Sequence, residues 1–462
     1  GKRVRYRAST RLARSGTMVR DFATGEAGPT NTARGGGRLE WEINRRDSLT
    51  VHGDLYHGGG RQDISDTISS VGLVRPRQES IDFAGGYLQA RWRRTGERSD
   101  TALQWFLNVE DRNESLGRSE LRTSDFDFQN RNTLGRRHDL IWGAGYRAIF
   151  DRLLAGTRAS ADPPSRTTGL SSSFIQDDWS LVRDKLVLSA GTKYLYQQYS
   201  GGAWQPGARL AFTPNARETI WASATRSVRT PSRRDQDVRF LFALPPSLAP
   251  EGVFARYESS RAFQNERQVS FEAGYRRQFG EKWSVDLALF RSGYDRLQAF
   301  AFGPPDIQLQ PELRVVVPLS LNNNGSAISK GGEVVLQWKP SARLRASVNY
   351  SHLSLKQMQP DALGDTGSRD PRHMVQSHLS WDVSRKVSFD AFAYGVSGTA
   401  AGRVPAYTRA DARLAWRLND HAELAAGGRN LLAPRHREMI SEDFTIAQQV
   451  RRTAYVRFTW RF

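Results

Sequence analysis

One pattern constrains this chain more than any other: amphipathic strands that return through short polar turns, repeated from end to end. Residues 34–45 (RGGGRLEWEINR) place Leu39, Trp41 and Ile43 on one face and Arg38, Glu40, Glu42 and Asn44 on the other. Successive strand side chains point to opposite faces, so each such segment has a greasy side and a polar side. A turn at Arg45–Asp47 leads into SLTVHGDLYHG, where Leu49, Val51 and Leu55 alternate with Thr50, His52, Asp54 and Tyr56. This reads as an antiparallel hairpin. The unit recurs through turns near Thr95–Ser99, Val182–Asp184, Asn215–Arg217, Phe279–Lys282, Lys339–Arg343, Ser384–Lys386 and Leu418–Asp420. The chain ends on QQVRRTAYVRFTWRF, with Ala454, Val456, Phe458, Trp460 and Phe462 against Tyr455, Arg457, Thr459 and Arg461.

A single strand of this kind fits a soluble sheet equally well. The connections are more selective. Short turns follow one end of each strand pair, while the longer links, about 13–33, 59–81, 150–168, 230–264, 298–330, 357–371 and 433–447, gather at the other. Long loops on one side and tight turns on the other mark an outer-membrane barrel. Seven of the twelve tryptophans, Trp41, Trp92, Trp179, Trp338, Trp381, Trp416 and Trp460, precede a short turn or the chain end. Amphipathic rings at one height make an interfacial girdle.

Composition agrees with this reading. Hydrophobic residues make up 38%, and no run approaches the roughly 18 apolar residues of a membrane helix. A barrel needs neither, because its lumen face is polar. The absence of cysteine excludes disulfides and thiolate sites. The eight histidines show no metal-binding spacing, so no metal site and no cofactor are expected. No catalytic arrangement stands out, and GGG at 35–37 and 58–60 lacks the Lys-Ser/Thr of a phosphate loop. A net charge of +19 is compatible with nucleic acid, anionic lipid or anionic ligands. Outward apolar rows such as Trp283, Val285, Leu287 and Leu289 argue against a soluble nucleic-acid binder. The fold class is therefore all-β, a transmembrane antiparallel β-barrel. About 20 strands are visible, and plugged barrels close at 22, which points to a missing first hairpin.

Several stretches resemble TonB-dependent outer-membrane receptors. They are the terminal strand, AAGGRNLLAPRHREM through Gly428, Asn430, Leu431 and Leu432, and FIQDDWSL with the strand after it. WASATRSVRTPSRRDQDV, through Arg229, Pro231 and Ser232, and SGYDRL, through Tyr294, Asp295 and Leu297, are also similar to that family. The resemblance implies that residues 1–462 form the barrel domain, with the amino-terminal plug domain missing from this chain. It implies an active transporter for a scarce bulky nutrient, in the first instance a ferric siderophore. Its partners would be the TonB complex reached through the plug, lipopolysaccharide and outer-membrane lipid, and the barrel assembly machinery. The alternative is a passive porin or adhesin barrel, which a plug and TonB box upstream of Gly1 would exclude.

Three groups of residues follow as candidates. The longest loop carries Arg233, Arg234, Arg239, Phe240, Phe242 and Tyr257, with Arg229 at its edge. Arginine beside aromatics suits a bulky aromatic anion. Arg209, Arg345, Arg409, Asp411, Arg413, Arg457 and Arg461 fall on the polar face, toward the lumen or a plug. Phe458, Trp460 and Phe462 form the terminal aromatic row, which the resemblance implies is an assembly signal.

Overall fold

The polar turns fall where the sequence places them, and their own side chains close them. Asn44 Oδ1 accepts from the amides of Arg46 and Asp47, and Asn215 Oδ1 accepts from that of Arg217. Asn419 Oδ1 accepts from His421 and Ala422, and Ser384 Oγ from Lys386 and Val387. Such bonds stand in for a backbone turn. Gly135 and Gly280 supply the positive φ of two others.

The computed structural model describes residues 3–15, 19–20, 30–68, 73–114, 117–156, 159–244, 253–308, 314–359, 362, 369–399, 404–438 and 448–461. Twenty strands form an antiparallel meander. The first five are β1 Val4–Ser15, β2 Thr30–Glu42, β3 Asp47–Ile68, β4 Leu73–Thr95 and β5 Ser99–Glu114. Then come β6 Gly117–Leu134, β7 His138–Ala155, β8 Ser165–Val182, β9 Leu186–Gln197 and β10 Gly201–Asn215. They are followed by β11 Glu218–Arg229, β12 Glu266–Phe279, β13 Trp283–Phe302, β14 Arg314–Ser341 and β15 Leu344–Gln357. The last are β16 His373–Asp382, β17 Val387–Val396, β18 Tyr407–Arg417, β19 Ala422–Arg429 and β20 Thr453–Trp460. Each pairs with the next, from β1 on β2 through β11 on β12 to β19 on β20. The expected count of about twenty thus holds for the meander.

Register keeps the two faces distinct. Trp41 stands opposite Leu49, Trp92 opposite both Leu49 and Leu103, and Leu103 opposite Phe128. Because the side-chain period is two, these pairs hold every apolar row on one side of the sheet. That side is the outer one, where Val456, Phe458, Leu414, Trp416, Leu289 and Phe271 are all exposed. Trp283 and Trp338 stack with centroids 5.5 Å apart beside the turns. Among the described residues no helix is long and apolar enough to cross a membrane; the strands make the crossing.

The long links differ from their simple reading as loops. β3 and β4 carry the hairpin through most of 59–81, pairing as far as Ile68 with Leu73. β13 and β14 do the same above the membrane, out to Phe302 with Leu319. Four further strands, Ala159–Ala161, Val238–Ala243, Val253–Glu258 and Asp306–Gln308, join the sheet at that end and bring it to twenty-four. Val253–Glu258 runs parallel to Val315–Ser320 of β14. A separate sheet joins Val19–Arg20, Gln448–Arg451 and Arg435–Arg437.

Candidate functional site

The link between β11 and β12 folds into a unit of its own. After Pro231 the chain starts the short helix α1, Arg233–Asp237. Ser232 caps it by accepting from the Asp235 amide, while the Asp235 carboxylate accepts from the Ser232 amide. This reciprocal box satisfies two amides that a helix start leaves open. The hairpin Val238–Ala243 with Val253–Glu258 follows, docked on Ala159–Ala161 on one side and on β14 on the other.

Two small cores hold the unit. Tyr257, Phe263 and Leu321 form one, with Phe240, Phe242 and Phe300 packed against it; Leu244, Ala255 and Leu319 form the second. Tyr257 is 1% exposed and stacks on Phe240 with centroids 4.5 Å apart. Its hydroxyl donates to the Arg234 carbonyl at 3.2 Å. Burial, reinforced by the Asp235 carboxylate, pushes the Tyr257 phenol up to about 12.

Charges clamp the helix to its neighbours. Arg229 binds Glu266 and also reaches Asp235 at 3.1 Å. Arg233 binds Asp151 at 2.8 Å and also binds Asp237. The fully buried Asp237 carboxylate is further approached by Arg166 at 3.1 Å and Arg261 at 3.6 Å. A carboxylate removed from water persists only when paired in this way.

All seven loop residues singled out by sequence are thus brought into one unit, in different roles. Arg229 and Arg233 are clamps, and Tyr257, Phe240 and Phe242 are packing. Arg234 lies over the rings of Phe240 and Tyr257 at 5.1 and 5.6 Å, with its side chain exposed. Arg239 is exposed as well. A cationic edge on an aromatic platform is what this arrangement offers an anion. Sequence reasoning missed the carboxylates Asp151, Asp235, Asp237 and Glu266. Ser232-x-x-Asp235 was a legible capping signal, whereas Asp151, 82 residues from Arg233, carried none.

The lumen-facing candidates form ladders across strands. Arg409 binds Asp411 at 2.7 Å and Glu438 at 3.6 Å. Arg413 joins Asp390 at 3.1 Å to Glu423 at 2.8 Å. Glu423 also receives Arg457 at 3.8 Å and Arg461 at 3.6 Å, which leaves this part of the wall cationic. Arg209 lies 4.4 Å over the Trp221 ring, and Arg345 is exposed. Arg209 also lines a recess of about 610 Å³ in the lumen wall with Lys193, Gln176 and Gln205. Of the terminal row, Phe458 and Trp460 are exposed on the outer face; Phe462 lies outside the described residues.

Asn430, within the Gly-Arg-Asn-Leu-Leu stretch, is fully buried at φ 54°. Its amide donates to Asp411 Oδ1 at 2.9 Å and its Nδ2 to the Val450 carbonyl at 3.1 Å. Asn tolerates the left-handed region better than most residues, so it can turn the chain there and tie β18 to the last loop. Among the described residues no group of three or more His, Asp or Glu could hold a metal ion.

The family model described as TonB dependent receptor-like, beta-barrel, matches residues 3–431. The chain belongs to that family. Solved structures agree on the fold. The siderophore receptor PirA from Acinetobacter baumannii superposes with a TM-score of 0.79 at 14% identity, over 100% of this chain and 76% of that one. The ferric enterobactin receptor PfeA from Pseudomonas aeruginosa, in complex with BCV-L6, gives 0.76 at 16% identity with the same coverage. The copper transporter OprC gives 0.71 at 12% identity, again over 100% and 76%. No curated protein matches the chain by sequence. A TonB-dependent receptor barrel is an outer-membrane transport protein of Gram-negative bacteria, not an enzyme.

Proposed function

We propose that this receptor takes up a ferric siderophore across the outer membrane, driven by TonB through a plug domain seated in the lumen. The observation that carries the reading is the exposed Arg234 over Phe240 and Tyr257, with Arg239 exposed on the adjoining hairpin, in a unit held by buried ion pairs at the outer mouth. Planar guanidinium groups match the paired oxygens of catecholate or carboxylate chelators. Solved relatives named as siderophore receptors, one of them with enterobactin bound, support the choice of ligand class. The cationic lumen wall around Glu423 suits contact with acidic groups on a plug.

The test is uptake of radiolabelled ferric catecholate and hydroxamate chelates by cells carrying the full-length receptor, with and without TonB. The expected result is TonB-dependent uptake of one class. It should be weakened by Arg234→Ala with Arg239→Ala, and more so at low salt, because exposed charge attraction is screened. Uptake of neither class, or uptake indifferent to TonB, overturns the reading.

A further inference from the structure

The registers bring together two histidines that the sequence keeps apart. His352, in the outer half of β15, stands directly opposite His373, the first residue of β16, across the whole 357–371 link. The Leu353 amide donates to the Arg372 carbonyl at 3.0 Å, which makes 353–372 a hydrogen-bonded pair and 352–373 the narrow pair beside it. In a narrow antiparallel pair the Cα atoms are about 4.5 Å apart and the side chains are closest. The two imidazole rings accordingly sit with centroids 4.7 Å apart, inclined by 34°.

Their nitrogens are uncommitted in a way that other histidines' are not. His138 lies 2.6 Å from Asp177, His436 2.8 Å from Glu438 and His378 3.5 Å from Asp390. Among the described residues neither His352 nor His373 is paired with an acid. His352 Nδ1 is covered and makes no hydrogen bond. His373 Nδ1 lies 2.8 Å from the Tyr350 hydroxyl. When Nδ1–H donates to that oxygen, the ring is held in place and its Nε2 lone pair is available to a metal.

The pair stands where the outer face turns from apolar to polar. On β15 the exposed Val348 and Tyr350 are followed outward by His352, Ser354 and Lys356; on β16 the exposed Trp381 and Val375 give way to His373. His352 lies roughly 20 Å from the turn end, at 3.3 Å per residue and a tilt near 40°, close to the upper edge of an apolar band about 25 Å tall. His373 is exposed and His352 half-buried, so water reaches the pair from outside the lumen.

We propose that His352 and His373 together chelate one divalent transition ion of the class that prefers imidazole, Cu²⁺, Ni²⁺ or Zn²⁺, on the outer wall and apart from the ligand path. Each nitrogen would stand about 2.0–2.1 Å from the ion. Rings 4.7 Å apart reach that by rotating about χ2, a broad torsion for histidine. Water would complete the coordination. Such a bridge would tie the outer ends of β15 and β16 together at the base of the 357–371 link.

Cu²⁺ is the probe, because it binds nitrogen sites most tightly among the first-row divalent ions. The experiment is electron paramagnetic resonance of the untagged full receptor in detergent, titrated with Cu²⁺ in excess Mg²⁺, which occupies lipid phosphate oxygens. The wild type is expected to bind a Cu²⁺ equivalent through two imidazole nitrogens, displaced by excess Zn²⁺. His352→Gln and His373→Gln should each lose that equivalent, and His378→Gln, a lumen change, should keep it. Tyr350→Phe should keep the two-nitrogen signal but weaken binding about tenfold, through loss of the partner that orients a ligating ring. Heat-modifiable migration confirms folding of each variant. In the wild type alone, Cu²⁺ should protect His352 and His373 together from diethyl pyrocarbonate and leave the exposed His421 reactive. An unchanged Cu²⁺ spectrum in either Gln variant, a one-nitrogen spectrum, or protection of neither ring overturns the proposal and leaves the pair as an aromatic contact of the outer girdle.

Discussion

Replacing Asp237 with Asn tests whether the outer mouth is held by buried charge. The Asp237 side chain is fully buried, Arg233 is 12% exposed, Arg166 is 25% and Arg261 is 68%. Removing one partner of a buried pair costs about 3–5 kcal/mol, chiefly because the other charge is left uncompensated. Arg233 keeps Asp151, and Arg261 is largely hydrated, so the lower end applies. A cost of about 3 kcal/mol multiplies the opened population of the loop roughly a hundredfold. The assay is amide hydrogen exchange of Val253–Glu258 and Phe263 in detergent. Their exchange should accelerate by that factor in Asp237→Asn while β18 and β19 stay unchanged. Arg261→Gln should shift it by less than about threefold, since an exposed pair contributes little. Unchanged exchange in Asp237→Asn, or an equal effect from Arg261→Gln, would refute the reasoning.

Three shorter predictions bear on other levels of the structure. Val348, opposite Leu336 on the outer face, should cost about 2–4 kcal/mol when changed to Arg at mid-bilayer, and Asn349→Arg should cost little; folding titrations into lipid that rank them the other way exclude this register. The neutral Tyr257 phenol, raised from 10.0 to about 12, gives stability that is intact below pH 10 and is lost as pH rises toward 12, amounting to about 3 kcal/mol. Tyr257→Phe should remove that alkaline loss from the exchange of Val253–Glu258, and an unaltered pH profile would assign it to another group. Phe458→Ala with Trp460→Ala should lower the amount of protein reaching the outer membrane more than the inward change Phe392→Ala does, measured by protease shaving.

Much of the wall was legible because its signals are local. A strand shows its faces at period two, and a turn shows its Asn, Ser or Gly, so Trp41–Leu49 and Asn215–Glu218 could be placed from a few neighbouring residues. The outer end was not legible in the same way. The stretches 59–81 and 298–330 carry Gly, Pro and polar side chains that read as loop, yet the ladder runs on into them, to Ile68 with Leu73 and to Phe302 with Leu319, because an adjacent strand satisfies the backbone there. The parallel docking of Val253–Glu258 on Val315–Ser320 depends on a partner more than fifty residues away. For the same reason Arg233 and Tyr257 looked like ligand equipment in sequence. Their composition was visible, but Asp151 and Leu321, which bury them, were not adjacent to it.

β14 has a mechanical consequence. It is 28 residues long, and it is paired in the wall with β13 and β15 and, beyond them, with the hairpin at the mouth. A pull on that hairpin along the strand direction would load its hydrogen bonds together in shear, rather than unzip them one at a time. This sector of the rim should therefore behave as a stiff post, continuous with the membrane wall.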